Sequence, residues 1–158
     1  MNIQIITYSQ TGKTLSVSKL LYDDLNKLKF KVSFDEIKVI DKKIPRPNPF
    51  TIELSPELKG DIIVLATLVE GFLPSPVMME YINNHDFSNK KVICVVTHFF
   101  PFAWMGGNSA IKKMANLLIG KKANVIATGI INWSSKQRVV NISEVIKVIL
   151  ISIKKENK

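Results

Sequence analysis

The segment Ser9-Gln10-Thr11-Gly12-Lys13-Thr14 decides how this chain is interpreted. It follows an apolar run at residues 4–8 and leads into a helical pattern. Three hydroxyls, one glycine and the free N–H groups of a helix start can surround a phosphate, and the helix dipole favours its negative charge. A helix cap alone would need one Ser or Thr. We therefore predict that Ser9, Gln10, Thr11, Gly12, Lys13 and Thr14 bind a phosphate group.

Strand and helix patterns alternate outward from this segment. Short apolar runs at residues 4–8, 30–34, 61–66, 92–96 and 125–131 predict five strands, and three of these runs are continuous, as in a parallel sheet covered on both faces. Helical periodicity covers about residues 12–28, 76–83, 107–121 and 140–154. This alternation predicts a doubly wound α/β sheet with right-handed crossovers. Between the second and third strands, prolines at every second place predict a loop, with at most a helical turn at 56–59.

Length and composition indicate a single globular domain over residues 1–158, with 46% hydrophobic and 22% charged residues. Cys94 is the only cysteine and lies in an apolar run, which excludes an internal disulfide and a cysteine-bound metal cluster. Two histidines and no clustered carboxylates predict no metal site. The N-terminus lacks a secretory signal pattern and no apolar run is long enough for a membrane span, so we expect a cytoplasmic protein.

The net charge of +9 is concentrated in the second half of the chain. Residues 1–86 contain 10 basic and 11 acidic residues, whereas residues 87–158 contain 12 basic and two acidic ones, a net charge of +10. Lysine outnumbers arginine 20 to 2, and lysine is a poor bidentate reader of bases. Nucleic-acid recognition by sequence is therefore not expected, whereas nonspecific attraction of phosphate groups stays open. The favoured interpretation of the lysines is a solvated face.

Other phosphate and catalytic motifs do not fit. A nucleoside-triphosphatase loop needs a glycine where Thr7 stands, and neither the third nor the fourth strand ends in an acidic residue for magnesium. The dinucleotide pattern of spaced glycines is absent, and Ser9 lacks the glycine-flanked elbow of hydrolases. Redox chemistry on a bound cofactor remains as the predicted activity.

The loop of residues 9–14 resembles the phosphate loop of the flavodoxin-like flavoproteins, whose pattern is Ser or Thr, any residue, Thr-Gly, any residue, Thr. The resemblance covers essentially the whole chain, in the short-chain form. It implies a three-layer α/β/α fold with a five-stranded parallel sheet of order 2-1-3-4-5. It also implies FMN as the cofactor, bound by the loops after the first, third and fourth strands.

In the second of these loops, the resemblance implies that Thr67, Val69, Gly71 and Phe72 border the ribityl chain and the flavin ring. Glu70 stands where related flavin reductases often have an aromatic residue. Its carboxylate is expected either to accept a hydrogen bond from the ligand or to face solvent, and we favour solvent.

In the third loop, Thr97, His98, Phe99, Trp104, Gly106 and Gly107 are expected to close the other side of the site. The aromatic residues of this loop either form a lid over the core or an apolar wall for a flat ligand, and we favour the wall. His98 is a candidate catalytic residue that, as a cation, stabilises negative charge on a reduced flavin or passes a proton to it; an ordinary loop histidine is the alternative.

The favoured function is an NAD(P)H-dependent oxidoreductase that passes electrons through FMN to a small acceptor such as a quinone. The basic half favours this activity, because positive charge beside the site attracts anionic nicotinamide nucleotides or an acidic redox protein. One alternative is a flavodoxin-type electron carrier between protein partners. Another is a cofactor-free binding module that uses the lysine-rich edge. Related reductases are often dimers, so a homodimer is a further expectation.

Overall fold

A computed structural model of the protein describes residues 1–44, 46–100 and 106–158. Its centre is a sheet of five parallel strands in the spatial order β2-β1-β5-β7-β8. These strands are β1 (Asn2–Tyr8), β2 (Lys31–Glu36), β5 (Ile62–Glu70), β7 (Lys91–His98) and β8 (Asn124–Asn132). Numbered among themselves, the parallel strands have the order 2-1-3-4-5. The predicted fold class is confirmed.

Four helices cover the two faces of the sheet: α1 (Lys13–Lys27), α2 (Pro76–Asn84), α3 (Gly107–Gly120) and α4 (Arg138–Glu156). One core lies on the side of α1 and α4, and contains Leu21, Leu25 and Ile149. The other lies on the side of α2 and α3, and contains Met78, Tyr81 and Met114. The central strands are buried on both faces, which explains their continuous apolar sequences. Cys94 is buried in this core, as predicted, and burial raises the pKa of its thiol to about 12.

The crossover from β2 to β5 differs from the predicted loop. It contains a two-stranded antiparallel sheet of β3 (Lys38–Val39) and β4 (Ile52–Leu54), and residues 55–60 form no helical turn. Val39 is buried and Ile52 packs beside it, so the hairpin covers the core where a crossover helix would otherwise lie. The prolines exclude a helix, and the two short strands supply the missing cover.

A second short element follows β5. The strand β6 (Leu73–Pro74) pairs antiparallel with the end of β5. Gly71 and Phe72 form the two-residue turn between them, and both have left-handed backbones, with φ of 56° and 67°. Two positive φ values in such a turn match the right-handed twist of a hairpin. In the described part of the chain, no helix has the length and apolar character needed to cross a membrane.

Candidate functional site

A cavity of about 280 Å³ opens at the carboxyl edge of the parallel sheet. The segments that follow β1, β5, β7 and β8 all contribute to it. Its lining consists of Ser9, Gln10, Thr11, Lys13, Thr14, Leu68, Val69, Gly71, Thr97, His98, Phe99, Phe100 and Trp133. In an open α/β sheet this edge is where ligands bind. Five of the six residues predicted to hold a phosphate are therefore in the cavity wall.

The loop between β1 and α1 leaves the first turn of the helix open to a ligand. Gly12 has a left-handed backbone with φ of 86°, and its N–H donates to the Ser9 hydroxyl at 3.1 Å. No described side chain caps α1. The N-terminal N–H groups of a helix lack partners within the helix and favour an anion. Thr11 is exposed beside them, so this end of the cavity combines backbone donors with a free hydroxyl.

Thr14 connects this loop to the end of β7. Its hydroxyl lies 2.7 Å from the hydroxyl of Thr97, and both side chains are buried. A second buried hydroxyl pair, Thr7 to Ser18 at 2.7 Å, joins β1 to α1 just below. The Thr14–Thr97 contact fixes two of the predicted site loops relative to each other.

Thr67 does not line the cavity, although the sequence placed it there. The strand β5 continues to Glu70, four residues beyond the predicted end at residue 66. Thr67 is consequently inside the sheet and fully buried, and its hydroxyl has no hydrogen-bond partner among the described residues. Leu68 and Val69 reach the cavity instead, because they lie closer to the carboxyl end of the strand.

The apolar side of the site is built around a stacked pair of phenyl rings. Phe72 and Phe100 have ring centroids 5.3 Å apart and an interplanar angle of 2°. A side chain at Gly106 would come within 3.3 Å of Val69 and 3.4 Å of Phe72, so this glycine lets the loop pack against the pair. The missing side chain at Gly106 therefore makes room for protein side chains. Phe72 does not itself line the cavity; Phe100 does.

Phe99 lies between the apolar side and the phosphate loop. The ammonium group of Lys13 is 3.7 Å from the centroid of the Phe99 ring, within the range of a cation–π contact. The charge of Lys13 therefore lies over an aromatic ring at the rim. Trp104, which the sequence assigned to the same wall, lies outside the described residues.

Glu70 does not face solvent, contrary to the favoured expectation. Its Oε1 accepts from Arg46 Nη2 at 3.2 Å and from Gln10 Nε2 at 3.3 Å. The Arg46 side chain is 8% exposed and the Glu70 side chain 26% exposed. Arg46 also lies 4.4 Å over the ring of Phe50. The proline-rich crossover thus supplies the cation that pairs with Glu70, and the sequence contained no local signal of this pairing.

His98 is buried beneath the start of α3, although it lines the cavity. A side chain at Gly107 would come within 3.1 Å of the His98 ring and 2.8 Å of Ile130, so the glycine permits the helix to lie directly over the imidazole. Burial lowers the pKa of His98, and the backbone at Phe100 opposes this shift. Neither ring nitrogen makes a hydrogen bond to the described residues. The neutral imidazole is the favoured form.

Trp133 is a cavity residue that the sequence analysis missed. It follows β8 directly, and its backbone N–H donates to the backbone carbonyl of His98 at 2.8 Å. The guanidinium of Arg138 lies 4.8 Å from its ring centroid and donates to its carbonyl at 2.9 Å. The position of an aromatic residue at the carboxyl end of a strand was the signal that could have identified it.

Within residues 1–44, 46–100 and 106–158, no three His, Cys, Asp or Glu side chains converge as a metal site would require. The polar side-chain groups of the cavity residues are hydroxyls, one amide, one ammonium, one imidazole and the indole N–H of Trp133. These groups suit an anionic organic ligand bound against an apolar wall.

The sequence matches no protein-family model and no curated protein, but the structure resembles known ones over its whole length. Oxidised flavodoxin 1 from Bacillus cereus superimposes with a TM-score of 0.70 at 14% identity, covering 98% of both chains. A flavoprotein from Lactobacillus acidophilus NCFM in complex with FMN gives 0.63 at 12%, covering 91% of this chain and 97% of the other. A flavodoxin variant from Fusobacterium nucleatum bound to flavin mononucleotide gives 0.66 at 16%, covering 98% and 96%.

The chain has the flavodoxin fold. The predicted resemblance is confirmed at the level of architecture, and the cavity lies at the sheet edge where the flavodoxin fold places its ligand loops. In this chain, the crossover with the hairpin of β3 and β4 contributes Arg46, which pairs with Glu70 beside the cavity.

Proposed function

We propose that the protein binds FMN in the cavity at the carboxyl edge of the sheet and carries electrons between redox partners. One observation supports this most strongly: an uncapped helix N-terminus with hydroxyls at one end of a cavity whose other walls are apolar. A ligand that joins an anionic group to a flat apolar ring, as FMN does, matches this division into a polar end and an apolar end. The two FMN-bound structures of the same fold support the choice of ligand. When bound, FMN supplies one- and two-electron chemistry.

The phosphate end of the ligand is assigned to the loop after β1. Ser9, Thr11 and Thr14 supply hydroxyls, and the backbone at Lys13 supplies an N–H donor, while the N–H of Gly12 donates to the Ser9 hydroxyl and holds the loop in shape. Thr14 contacts Thr97, and either hydroxyl can be the donor in that contact. When Thr97 donates to Thr14, the single O–H of Thr14 stays available to donate to an anion. Gln10 completes this end of the site and also holds Glu70. Hydroxyls and amides carry no net charge, so the binding is expected to change little with salt.

The ring end of the ligand is assigned to the apolar side. Val69, Gly71 and Phe99 line it directly, while Phe72 and Gly106 support it through Phe100. Phe72 holds a left-handed backbone, which is uncommon for a bulky residue, and such strain is found preferentially at functional sites. The aromatic residues of the third loop are therefore proposed as a wall for the ligand.

His98 is proposed as the residue through which the protein exchanges a hydrogen bond or proton with the reduced cofactor. Because burial favours the neutral imidazole, the cationic role expected from sequence is replaced here by a neutral one. Gly107 maintains the ring's position by allowing α3 to lie over it. Thr97 is assigned a structural contact to Thr14 at the same strand end.

We favour the electron carrier over the NAD(P)H-dependent oxidoreductase because the structures of similar fold include several flavodoxins. The oxidoreductase remains the second candidate, on the observation that residues 87–158 have a net charge of +10. Positive charge raises the affinity for anionic nucleotides and for an acidic redox protein. A small acceptor such as a quinone belongs to this second candidate.

The first test is a visible spectrum of the purified protein, followed by a fluorescence titration with FMN. We expect bound flavin or stoichiometric quenching of added FMN. Thr11→Ala is expected to weaken FMN binding about 10- to 100-fold, the effect of losing one hydrogen bond to a charged group. Thr128→Ala, an exposed threonine in the middle of β8, is the matched control and should leave the affinity unchanged.

Two outcomes would change the assignment. Unaltered affinity in Thr11→Ala would remove the phosphate from this loop, and the absence of any flavin binding would favour the cofactor-free module. Once holoprotein is available, anaerobic mixing with NADH and NADPH separates the two redox candidates. A carrier is reduced by dithionite but not by either nucleotide, whereas the oxidoreductase is reduced by at least one of them.

A further inference from the structure

The face formed by α1 and α4 carries an apolar groove that is larger than the proposed cofactor cavity. Its volume is about 550 Å³, and its apolar lining consists of Leu20, Val139, Ile142, Ile146, Leu150 and Ile151. We call this surface the α1–α4 face. Exposing adjoining aliphatic side chains to water is energetically unfavourable, and contiguous apolar patches of this kind mark interaction sites.

The exposed part of α4 is unusually aliphatic for a surface helix. Val139 is 78% exposed, and Val140 and Val148 are at least half exposed. Ile151 and, from α1, Leu20 are each almost half exposed. A surface helix normally presents charged and polar residues opposite its buried stripe. The aliphatic side chains of α4 therefore extend beyond what the protein core uses.

The charge around the groove is positive. Lys147 and Lys154 line its rim, and neither forms an ion pair within the described part of the chain. The acidic residue of the lining, Asp24, already pairs with Lys27 at 3.0 Å. An occupant of this groove must therefore present apolar groups together with negative charge.

A second copy of the chain does not meet this requirement. In a twofold dimer the same patch lies on both sides of the interface, so neither copy offers an unpaired negative charge from this lining to Lys147 and Lys154. A protein partner is disfavoured by the composition of the groove, because its lining lacks the Trp, Tyr and Arg side chains that dominate protein hot spots. Aliphatic side chains between lysines suit acyl chains beneath anionic headgroups.

We propose that the α1–α4 face docks the protein on the surface of an anionic lipid bilayer. The aliphatic side chains enter the boundary between headgroups and acyl chains, and the lysines contact the phosphates of the headgroups. Val139 follows Arg138, whose guanidinium lies over Trp133 of the cofactor cavity. The docked surface therefore adjoins the cavity at the start of α4, which places the carboxyl edge of the sheet close to the membrane.

The test is co-sedimentation of the full-length protein with phosphatidylcholine vesicles, with and without about one third phosphatidylserine, at low and physiological salt. We expect binding to the anionic vesicles that weakens as salt rises. Val139→Ser together with Ile151→Ser should lower the partition coefficient roughly tenfold. Lys147→Gln together with Lys154→Gln should lower it by at least about fivefold per lysine on anionic vesicles.

Matched controls come from α3, which lies on the opposite face of the sheet. Ile119→Ser changes an aliphatic residue that is 57% exposed, and Lys112→Gln together with Lys113→Gln removes the same charge as the α4 variant. Both controls should bind vesicles like the wild type. Circular dichroism and the unfolding temperature verify that each variant is folded.

The proposal is overturned if the wild type does not bind anionic vesicles, or if the α3 lysine variant loses as much binding as the α4 variant. It is also overturned if the wild type is a dimer in light scattering that Val139→Ser and Ile151→Ser convert to a monomer, since a second copy then covers the face. Vesicle binding does not depend on flavin, so its failure leaves the FMN proposal standing, and the reverse also holds.

Discussion

Replacing Glu70 by glutamine tests whether an ion pair holds the proline-rich crossover against the loops around the cavity. The variant keeps the size of the side chain but removes the charge that faces Arg46 at 3.2 Å. Breaking a fully buried pair costs about 3–5 kcal/mol, and an exposed pair contributes about 0.2–1 kcal/mol. Arg46 is almost fully buried and Glu70 about three-quarters buried, so we expect a loss of about 2 kcal/mol in the free energy of unfolding, between these limits.

The assay is urea unfolding followed by tryptophan fluorescence. With a slope of about 2 kcal/mol per molar urea, a loss of about 2 kcal/mol lowers the midpoint by about 1 M without changing the slope. A double-mutant cycle with Arg46→Met isolates the coupling, because Arg46 also contacts Phe50 and the carbonyl of Pro47. We expect a coupling free energy of at least about 1 kcal/mol.

The control is Glu57→Gln. Glu57 pairs with Lys59 at 3.7 Å, and their side chains are 83% and 74% exposed. Its removal should change the free energy of unfolding by less than about 0.5 kcal/mol. Equal midpoints for Glu70→Gln and Glu57→Gln would refute the reasoning, and Glu70 would then be the solvated carboxylate that its sequence position suggests.

Two further predictions concern the packing beneath α3. Burial lowers the pKa of His98, so the unfolded chain binds a proton at this residue more readily than the folded chain does. His98 therefore reduces the free energy of unfolding as the pH falls through about 6.5. Urea unfolding midpoints measured between pH 5 and 7.5 should depend less on pH in His98→Gln than in the wild type. Gly107→Ala should lower the free energy of unfolding by about 1–3 kcal/mol, because the new methyl group would lie 2.8 Å from Ile130 and 3.1 Å from His98. The control is Gly120→Ala in the same helix, where a methyl group meets nothing within 4 Å and should be neutral or stabilising. Calorimetry measures both variants.

The order of strands and helices could be predicted because it depends on local patterns. Apolar runs and helical periodicity located the five parallel strands and four helices that the structure shows in residues 1–44, 46–100 and 106–158. The strands β3 and β4 have two and three residues and are held by packing of Val39 and Ile52 on the core, which no local pattern encodes. The extent of β5 was missed because its parallel pairing with β7 continues through Leu68, which keeps Thr67 inside the sheet. Antiparallel pairing with β6 then adds the last two residues of the strand.

The candidate site shows the same division between local and non-local information. The hydroxyl loop could be identified because its residues are consecutive and their chemistry is visible in the sequence. Arg46 and Glu70 are separated by 24 positions, and the pairing arises only when the crossover returns along the sheet edge. Trp133 belongs to the segment after β8, which the resemblance did not include among the ligand loops.

The contacts around the cavity make its loops depend on one another. Glu70 joins the end of β5 to Gln10 of the first loop and to Arg46 of the crossover, while Thr14 and Thr97 join the start of α1 to β7. Trp133 is tied to the same strand through the carbonyl of His98. A ligand that contacts several loops binds more tightly when those loops are already held in position, because less conformational entropy is lost on binding. We therefore expect residues outside the cavity lining, Arg46 above all, to contribute to the affinity for the proposed ligand through the position of the loops they hold.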